Sequence, residues 1–317
     1  MIINDVCVLG GSGFVGVHVC NQLTARGYRV TVPTRDRERA KVDLITLPTV
    51  DVVTADIHDP EALRKVLRGC DVAINLVGVL HNGRGKASFQ QAHVEVARKV
   101  VDACRRNGIR RLVHMSALNA GLGAPSKYLK SKGEAEDVIR QSGLDFTIFR
   151  PSVIFGREDR FLNLFAGLLA WFPIIPLGSP NARFKPVYVV DVATAFAESL
   201  TRLESFGRTY DLVGPKVYGL RELVKYVGEL TGHRRPILPL GDGLSRLQAS
   251  IMGLLPGKML TVDNYLSMKL DSVSQQAFPF GISPTPLEAV ASFWLANQTP
   301  RARYQTFRDR SHGNRTT

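Results

Sequence analysis

The segment Val6-Cys7-Val8-Leu9-Gly10-Gly11-Ser12-Gly13-Phe14-Val15-Gly16 leaves this chain few folds to choose from. An apolar run of the kind that forms a buried parallel strand breaks into glycines at Gly10, Gly13 and Gly16. A helical pattern follows through Val15, Val19 and Leu23 to a stop at Gly27. Strand, glycine turn and helix in that order form the context a dinucleotide fingerprint requires. Gly10 permits the tight turn, Gly13 lets the backbone approach a pyrophosphate, and Gly16 lets the helix lie close to the strand. Free N–H groups and the helix dipole then face the phosphates. Ser12, Phe14 and Val15 complete the expected cofactor-binding turn. Glycine turns also close ordinary strand–helix joints, so the surrounding pattern has to decide. No Gly-Lys-Ser/Thr follows, which disfavours a P-loop.

That pattern is an alternation of apolar strands with amphipathic helices through residue 150. Further strands are expected at Arg29–Pro33, Val50–Thr54, Asp71–Val77, Arg111–Ser116 and Phe146–Arg150. Helices are expected over Pro60–Arg68, near Ala87–Arg106 and over Ser126–Ser142. The fold class is therefore α/β, a doubly wound parallel-sheet Rossmann fold, with ligands at the carboxyl ends of the strands. Past Arg150 the chain is irregular and richer in proline, as suits a smaller C-terminal α/β lobe. The expected division is a Rossmann domain over 1–155 and a substrate or partner lobe over 156–298, parts of which return to the sheet. A basic tail over 299–317 lacks apolar periodicity and is expected to be disordered.

Phe161–Gly178 is almost uncharged, but Asn163, Pro173 and Pro176 interrupt it too often for a membrane span. It reads as a helix and strand covering the active-site cleft, or as an apolar lip for a lipid, a quinone tail or a membrane surface. A second apolar helix, Leu244–Leu255, offers the same two readings. The formal charge of +13 can be a solvated face, an attraction to an acidic lipid or protein surface, or a nucleic-acid surface. No basic stripe interleaved with aromatics supports nucleic acid, which ranks last. Cys7, Cys20, Cys70 and Cys104 show no metal-like spacing and read as reduced core thiols, with no metal site expected. No signal peptide or Arg-rich presequence is read before the first strand. A cytoplasmic location follows, with peripheral attachment to the cytoplasmic face of the inner membrane as the alternative.

The second strand should end at the adenosine ribose, where an acid would bind a 2′-hydroxyl and an arginine a 2′-phosphate. Thr34 stands at the acid position and Arg35 follows, which favours NADP(H), with NAD(H) possible if Asp36 does the acid's work. Asp56-Ile57 after the third strand can meet the adenine amino group, or can simply form a turn and cap before Pro60. Asn75-Leu76-Val77-Gly78 can lie along the cofactor ribose, Gly78 sparing room for close approach. Pro151, Ser152 and Val153 can wrap the nicotinamide end, unless Pro151 merely marks a strand exit.

Ser116 closes the fifth strand, Tyr128 opens a helix twelve residues later, and Lys132 lies one turn further on. A phenol with an ordinary pKa of about 10 needs a nearby cation to work as an acid/base near neutrality. Lys132 can be that cation while holding ribose hydroxyls, and Ser116 can hydrogen-bond the reacting oxygen. A lone Tyr-x-x-x-Lys is common by chance; after the fifth strand of a glycine-fingerprint fold it is a strong signal. Asp191 is expected to cap the helix that follows it, and His93 to be a packed, hydrogen-bonded histidine.

Together these motifs resemble the atypical and extended short-chain dehydrogenase/reductase superfamily, which includes the epimerases and dehydratases, over residues 1–295. Within it the chain is most similar to the NAD(P)H-binding accessory subunit family of respiratory complex I and its bacterial relatives. The likeness rests on His93-Val94, Arg111-Leu112-Val113-His114-Met115-Ser116-Ala117-Leu118 and Ser126-Lys127-Tyr128-Leu129-Lys130-Ser131-Lys132-Gly133-Glu134. It rests also on Leu260-Thr261-Val262-Asp263-Asn264 and Phe280-Gly281-Ile282-Ser283-Pro284-Thr285. The resemblance implies bound NADP(H) and a quinone-linked or membrane-complex setting. It also implies, in many members, a structural role instead of turnover. Three functions follow in order. The first is an NADP(H)-binding oxidoreductase acting on an apolar carbonyl or alcohol or on a quinone-related substrate. The second is a cofactor-binding structural or assembly subunit of a membrane complex. The third is a nucleotide-sugar epimerase or dehydratase.

Overall fold

Val6 to Leu9 are four successive residues with no exposed surface, and such a run belongs to a strand covered on both faces. They form β1 (Asp5–Leu9), an inner strand of a seven-stranded sheet. The computed structural model describes residues 3–83, 85–253 and 260–296. In chain order β1 is followed by α1 (Phe14–Ala25), β2 (Arg29–Thr34), α2 (Arg37–Leu44), β3 (Val50–Thr54), α3 (Pro60–Val66) and β4 (Val72–Asn75). Then come α4 (Val96–Arg106), β5 (Arg111–Met115), α5 (Lys127–Arg140) and β6 (Asp145–Pro151).

The chain continues through β7 (Ile154–Phe155), α6 (Phe161–Trp171), β8 (Ile175–Leu177), β9 (Arg183–Phe184) and β10 (Val187–Tyr188). Next are α7 (Val189–Ser199), β11 (Arg208–Leu212), β12 (Tyr218–Gly219), α8 (Leu220–Leu230), β13 (Ile237–Pro239), α9 (Asp242–Met252) and α10 (Val262–Ser267). These elements divide into two units. The first holds Met1–Ser152, Val189–Val213 and Ser272–Pro284; the second holds Val153–Tyr188, Gly214–Asp271 and the chain from Thr285.

The first unit is a parallel sheet in the order β11-β6-β5-β4-β1-β2-β3, the doubly wound Rossmann arrangement. Its order reverses between β1 and β4, which pair from Val6↔Val72 to Leu9↔Asn75. In such sheets a crevice opens outside the carboxyl ends of the strands at that reversal. Leu63, Leu67, Val96, Val100, Ala135 and Ile139 from α3, α4 and α5 pack on Cys7, Leu9, Ala73 and Leu112 to form one core layer. The second unit has its own core, built from Phe155, Leu162, Phe165, Leu169 and Phe184 with Leu223, Val224 and Val227 of α8. Cys7, Cys20 and Cys104 are buried free thiols and Cys70 is half-buried.

Three sequence expectations need correction. The helix expected over 87–106 is not continuous: a short 3-10 turn (Gly85–Ala87) and a π-helical turn (Gln90–Glu95) precede α4. Asp191 does not cap a helix from outside, because α7 begins two residues earlier and takes Asp191 into its first turn. There the carboxylate still complements the helix dipole. The sheet also takes in β11, a strand for which no range was expected from the sequence. β11 pairs in parallel with β6 from Arg208↔Thr147 to Leu212↔Pro151, and Arg111 of β5 is fully buried. That guanidinium donates to the Asp145 and Ser199 carbonyls (both 2.7 Å), Thr147 Oγ1 (2.8 Å) and Ser205 Oγ (3.0 Å). The second apolar helix is α9, shifted two residues earlier than expected; residues 254–259 and the tail 299–317 lie outside the described residues.

Candidate active site

The glycine turn is shaped by what its glycines exclude. Gly10 adopts φ +82°, and Gly13 donates from its backbone to the Gly10 carbonyl (3.0 Å). A methyl group on Gly16 would lie 2.2 Å from the Gly10 oxygen, so α1 can start this close to β1 only without a side chain there. Gly11, which the fingerprint reading left unassigned, is equally constrained: a Cβ would meet Val32 of β2 at 2.7 Å. Ser12 and Gly13 are exposed, Phe14 is half-buried and Val15 is buried. Side chains of Asp36, Asp59 and Ser126 cap α2, α3 and α5, but none caps α1. The first-turn N–H groups of α1 and the bare backbone before them fit a pyrophosphate.

At the ends of β2 and β3 the residues are charged and accessible. Arg35 is exposed, whereas Asp36 accepts the Arg39 N–H (3.0 Å) as the cap of α2. Asp56 does not cap α3, a task Asp59 performs by accepting the Glu61 N–H (3.0 Å). Instead its Oδ1 accepts the His58 N–H (3.0 Å) and its Oδ2 pairs with Lys86 Nζ (2.6 Å). Ile57 is half-buried against the core beneath. The Lys86 ammonium is the main cause holding the Asp56 carboxyl below its usual range.

Asn75 is buried, and its Oδ1 accepts the Val77 N–H (3.1 Å), turning the chain outward after β4. Leu76 donates to the Leu9 carbonyl (2.9 Å), so the end of β4 abuts the glycine turn. A Cβ on Gly78 would lie 3.1 Å from Lys132 Nζ and 3.5 Å from His93 Nε2. The missing side chain is what lets this strand end reach α5.

The β5–α5 corner is buried. Ser126 caps α5 through the Leu129 N–H (3.2 Å). Tyr128, half-buried, packs against Ala117, Ala124 and Leu129, with ring centroids 5.7 Å from Phe89 and 5.6 Å from His93. Lys132 is only 2% exposed, and its Nζ donates to the Met115 carbonyl (3.0 Å) beside Ser116. Burial pushes the Lys132 ammonium down to about 8, while Glu136 one turn on pulls it upward. Glu136 is itself fully buried and gripped by Arg150 (2.6 and 2.7 Å) and Arg140 (2.6 Å). Ser116 is 3% exposed and its Oγ has no hydrogen-bond partner within the protein. Ser116, Tyr128 and Lys132 thus come to one corner, as their spacing implied.

Two histidines complete that corner. The Ser131 hydroxyl donates to the Tyr128 carbonyl (2.7 Å), so it accepts from His93 Nδ1–H (2.8 Å). His93 Nε2 in turn accepts the Val79 N–H (3.0 Å). These bonds fix one neutral tautomer, and burial holds His93 down at about 2. The sequence reading of His93 as packed and hydrogen-bonded stands. It passed over His114, which shares the Ser116 face of β5 because side chains two apart point the same way. His114 is 1% exposed with both ring nitrogens unpartnered, and burial, aided by the Lys132 charge, keeps it neutral.

Pro151 and Ser152 end β6 in the first unit. The Pro151 carbonyl accepts from Leu118 N–H (2.9 Å), Ser152 N–H donates to Leu212 (3.0 Å), and Ser152 Oγ bonds Ser272 (2.8 Å to its carbonyl). Val153 belongs to the second unit, where its carbonyl accepts from Val187 N–H (3.0 Å). Among the described residues no group of three or more His, Cys, Asp or Glu could hold a metal ion. No described helix is long and apolar enough to cross a membrane.

A family model described as NAD(P)H-binding matches residues 10–160. The mitochondrial NADH dehydrogenase [ubiquinone] 1 alpha subcomplex subunit 9 of Rattus norvegicus is 33% identical over 294 residues, covering 89% of this chain and 77% of that one. A ceramide reductase of Caulobacter vibrioides is 32% identical over 219 residues, covering 69% of this chain and 63% of that one. Among solved structures, the NADPH-dependent quinone oxidoreductase of Escherichia coli in complex with NADPH superposes with a TM-score of 0.72 at 18% identity. It covers 91% of this chain and 99% of that one, and supports the fold. The chain belongs to the family of the mitochondrial NADH dehydrogenase [ubiquinone] 1 alpha subcomplex subunit 9, with an NAD(P)H-binding match over residues 10–160.

Proposed function

We propose that the protein is an NADP(H)-linked oxidoreductase acting on a carbonyl or alcohol of an apolar substrate. The observation that carries this reading is the β5–α5 corner, where a buried lysine and an unpartnered serine hydroxyl flank Tyr128. Gly10, Ser12, Gly13, Phe14, Val15 and Gly16 would hold the pyrophosphate, and Asn75, Leu76, Val77 and Gly78 would run along the ribose. Pro151 and Ser152 would flank the nicotinamide. When bound, the nicotinamide supplies or accepts the hydride. Tyr128 gives a proton to the substrate oxygen during reduction and takes it back during oxidation. Lys132, held by the Met115 carbonyl, favours the phenolate by its charge, and Ser116 donates to the same substrate oxygen.

The preference for NADP(H) rests on Arg35, exposed where a 2′-phosphate would lie, and on Asp36 being committed to its cap. The apolar substrate class is supported by the name of one relative, a ceramide reductase. The test is Tyr128→Phe, assayed with NADPH and a panel of long-chain ketones and quinones. Turnover should disappear while NADPH affinity stays within about twofold; equal loss of both would remove Tyr128 from the chemistry.

A second reading is a cofactor-bearing subunit of a quinone-linked membrane complex without turnover. Leu244, Leu247 and Ile251, spaced along one side of α9, are each more than half exposed, and Trp171 is 86% exposed. Similarity to a complex I subunit points the same way. Co-sedimentation with membranes, for the full chain and for one lacking residues 299–317, tests it. A protein that stays in the supernatant in both forms counts against this role.

A further inference from the structure

Resting on the NADP(H) reading above, we propose that Lys86 is a specificity-determining residue. It neutralises Asp56 in the free protein and turns to the 2′-phosphate when the dinucleotide binds. Lys86 lies thirty residues from Asp56, on the 3-10 turn between β4 and α4, yet its ammonium sits 2.6 Å from Asp56 Oδ2. It is therefore placed over the carboxyl end of β3, beside β2, which ends in Thr34 and continues to Arg35. In this fold that corner receives the 2′-position of the adenosine ribose.

The charges there form a set. Lys99 Nζ donates to the His58 carbonyl (2.8 Å), and Asp56 Oδ1 accepts the His58 N–H (3.0 Å). Lys99, Lys86 and Arg35 each bear on the His58 imidazole strongly enough to push its pKa down, behind the larger effect of burial. Lys86 and Lys99 thus meet Asp56 and its neighbour His58 at one place, and Arg35 follows the adjoining strand end. Left alone, Asp56 would repel a dianionic phosphate. Paired with Lys86 it does not.

The pair is also built to open. The Lys86 and Asp56 side chains are 58% and 33% exposed, and ion pairs that accessible are held weakly. A phosphate offers the ammonium more charge than a carboxylate, with three acceptor oxygens. Once Lys86 swings to it, Asp56 is released to accept the adenine amino group. A cofactor without the 2′-phosphate gives Lys86 nothing to turn to, so the pair persists and Asp56 stays occupied. Lys86 therefore acts on one cofactor and not on the other.

The experiment measures dissociation constants of NADPH and NADH for the full chain by nicotinamide fluorescence. The variants are wild type, Lys86→Gln, Lys86→Arg, Asp56→Asn and the Lys86→Gln/Asp56→Asn pair. Lys86→Gln should weaken NADPH by about tenfold, the scale of one charge-assisted bond, and change NADH by less than about twofold. Lys86→Arg should keep the preference. Adding Asp56→Asn to Lys86→Gln should restore part of the NADPH affinity, because the repelling carboxylate is gone. A wild type that prefers NADPH, with a Lys86→Gln variant whose preference is unchanged, overturns the role of Lys86 alone. Equal wild-type affinities for the two cofactors overturn the NADP(H) reading along with it.

Discussion

The two ends of the candidate cofactor site use charge in opposite ways. At the ends of β2 and β3, Arg35, Asp56 and Lys86 are accessible, and their one ion pair is a surface pair. At the β5–α5 corner, Lys132, His93, His114 and Ser116 are each at most 3% exposed. A surface charge costs little to place and little to move, so it suits selection between similar ligands. A buried charge costs several kcal/mol to place, and the proteins that keep one generally use it. In the proposed function, the difference would separate a recognition end from a reactive end.

The contrast can be broken most severely at Tyr128. Tyr128→Phe should lower turnover by about 10²–10⁴-fold, the range of acid–base catalysis by one side chain. Stopped-flow hydride transfer with NADPH checks it. Lys132→Met comes next. An ordinary lysine titrates near 10.5 and Lys132 near 8, so the folded state carries a penalty for the buried cation. That penalty is complete below pH 8, fades between 8 and 10.5, and is absent above. Lys132→Met should therefore be more stable at pH 7 by about 3 kcal/mol, less the lost bond to Met115, while turnover falls. Urea denaturation at pH 7 and pH 10.5 measures it, and a variant less stable at pH 7 would contradict the burial cost.

Gly16→Ala is expected to cost about 1–3 kcal/mol, because its methyl meets the Gly10 oxygen and the turn must yield. NADPH affinity should fall with it, in contrast to Tyr128→Phe. His93 and His114 stay neutral when folded but gain protons when unfolded below pH 6.5, so acid favours the unfolded chain. Each adds about 1.4 kcal/mol per pH unit of lost stability. His114→Leu should flatten the acid limb by that amount between pH 6 and pH 5. At the other end, Lys86→Gln should change stability by less than about 1 kcal/mol, since an exposed pair holds little.

The sheet was legible because buried parallel strands are written as unbroken apolar runs and glycine spacing names the turn. Ser116, Tyr128 and Lys132 were legible because a strand end and one helical turn suffice to join them. The π-helical turn was not, since it depends on bonds made at a distance: His93 to Ser131 of α5 and to the Val79 N–H. Its own residues, Gln90–Glu95, read as ordinary helix in composition, so nothing local marks the break. The bonds of Arg111 were not legible either, since its guanidinium reaches Ser205, 94 positions further on. Lys86 was invisible for the opposite reason: a lone lysine near a glycine carries no pattern, and only the fold brings it to Asp56.

β6 and β11 lie side by side and finish together, Pro151 opposite Leu212, and the chain leaves for the second unit just past each of them. These two of the three departures thus follow neighbouring strands, far along the strand order from β1 and β2. Evolution can lengthen, shorten or replace either excursion without cutting the segments that carry the glycine turn or the lysine. Chimaeras spliced at residues 152/189 and 213/272 would exchange whole excursions between relatives, turning one cofactor platform into many appetites.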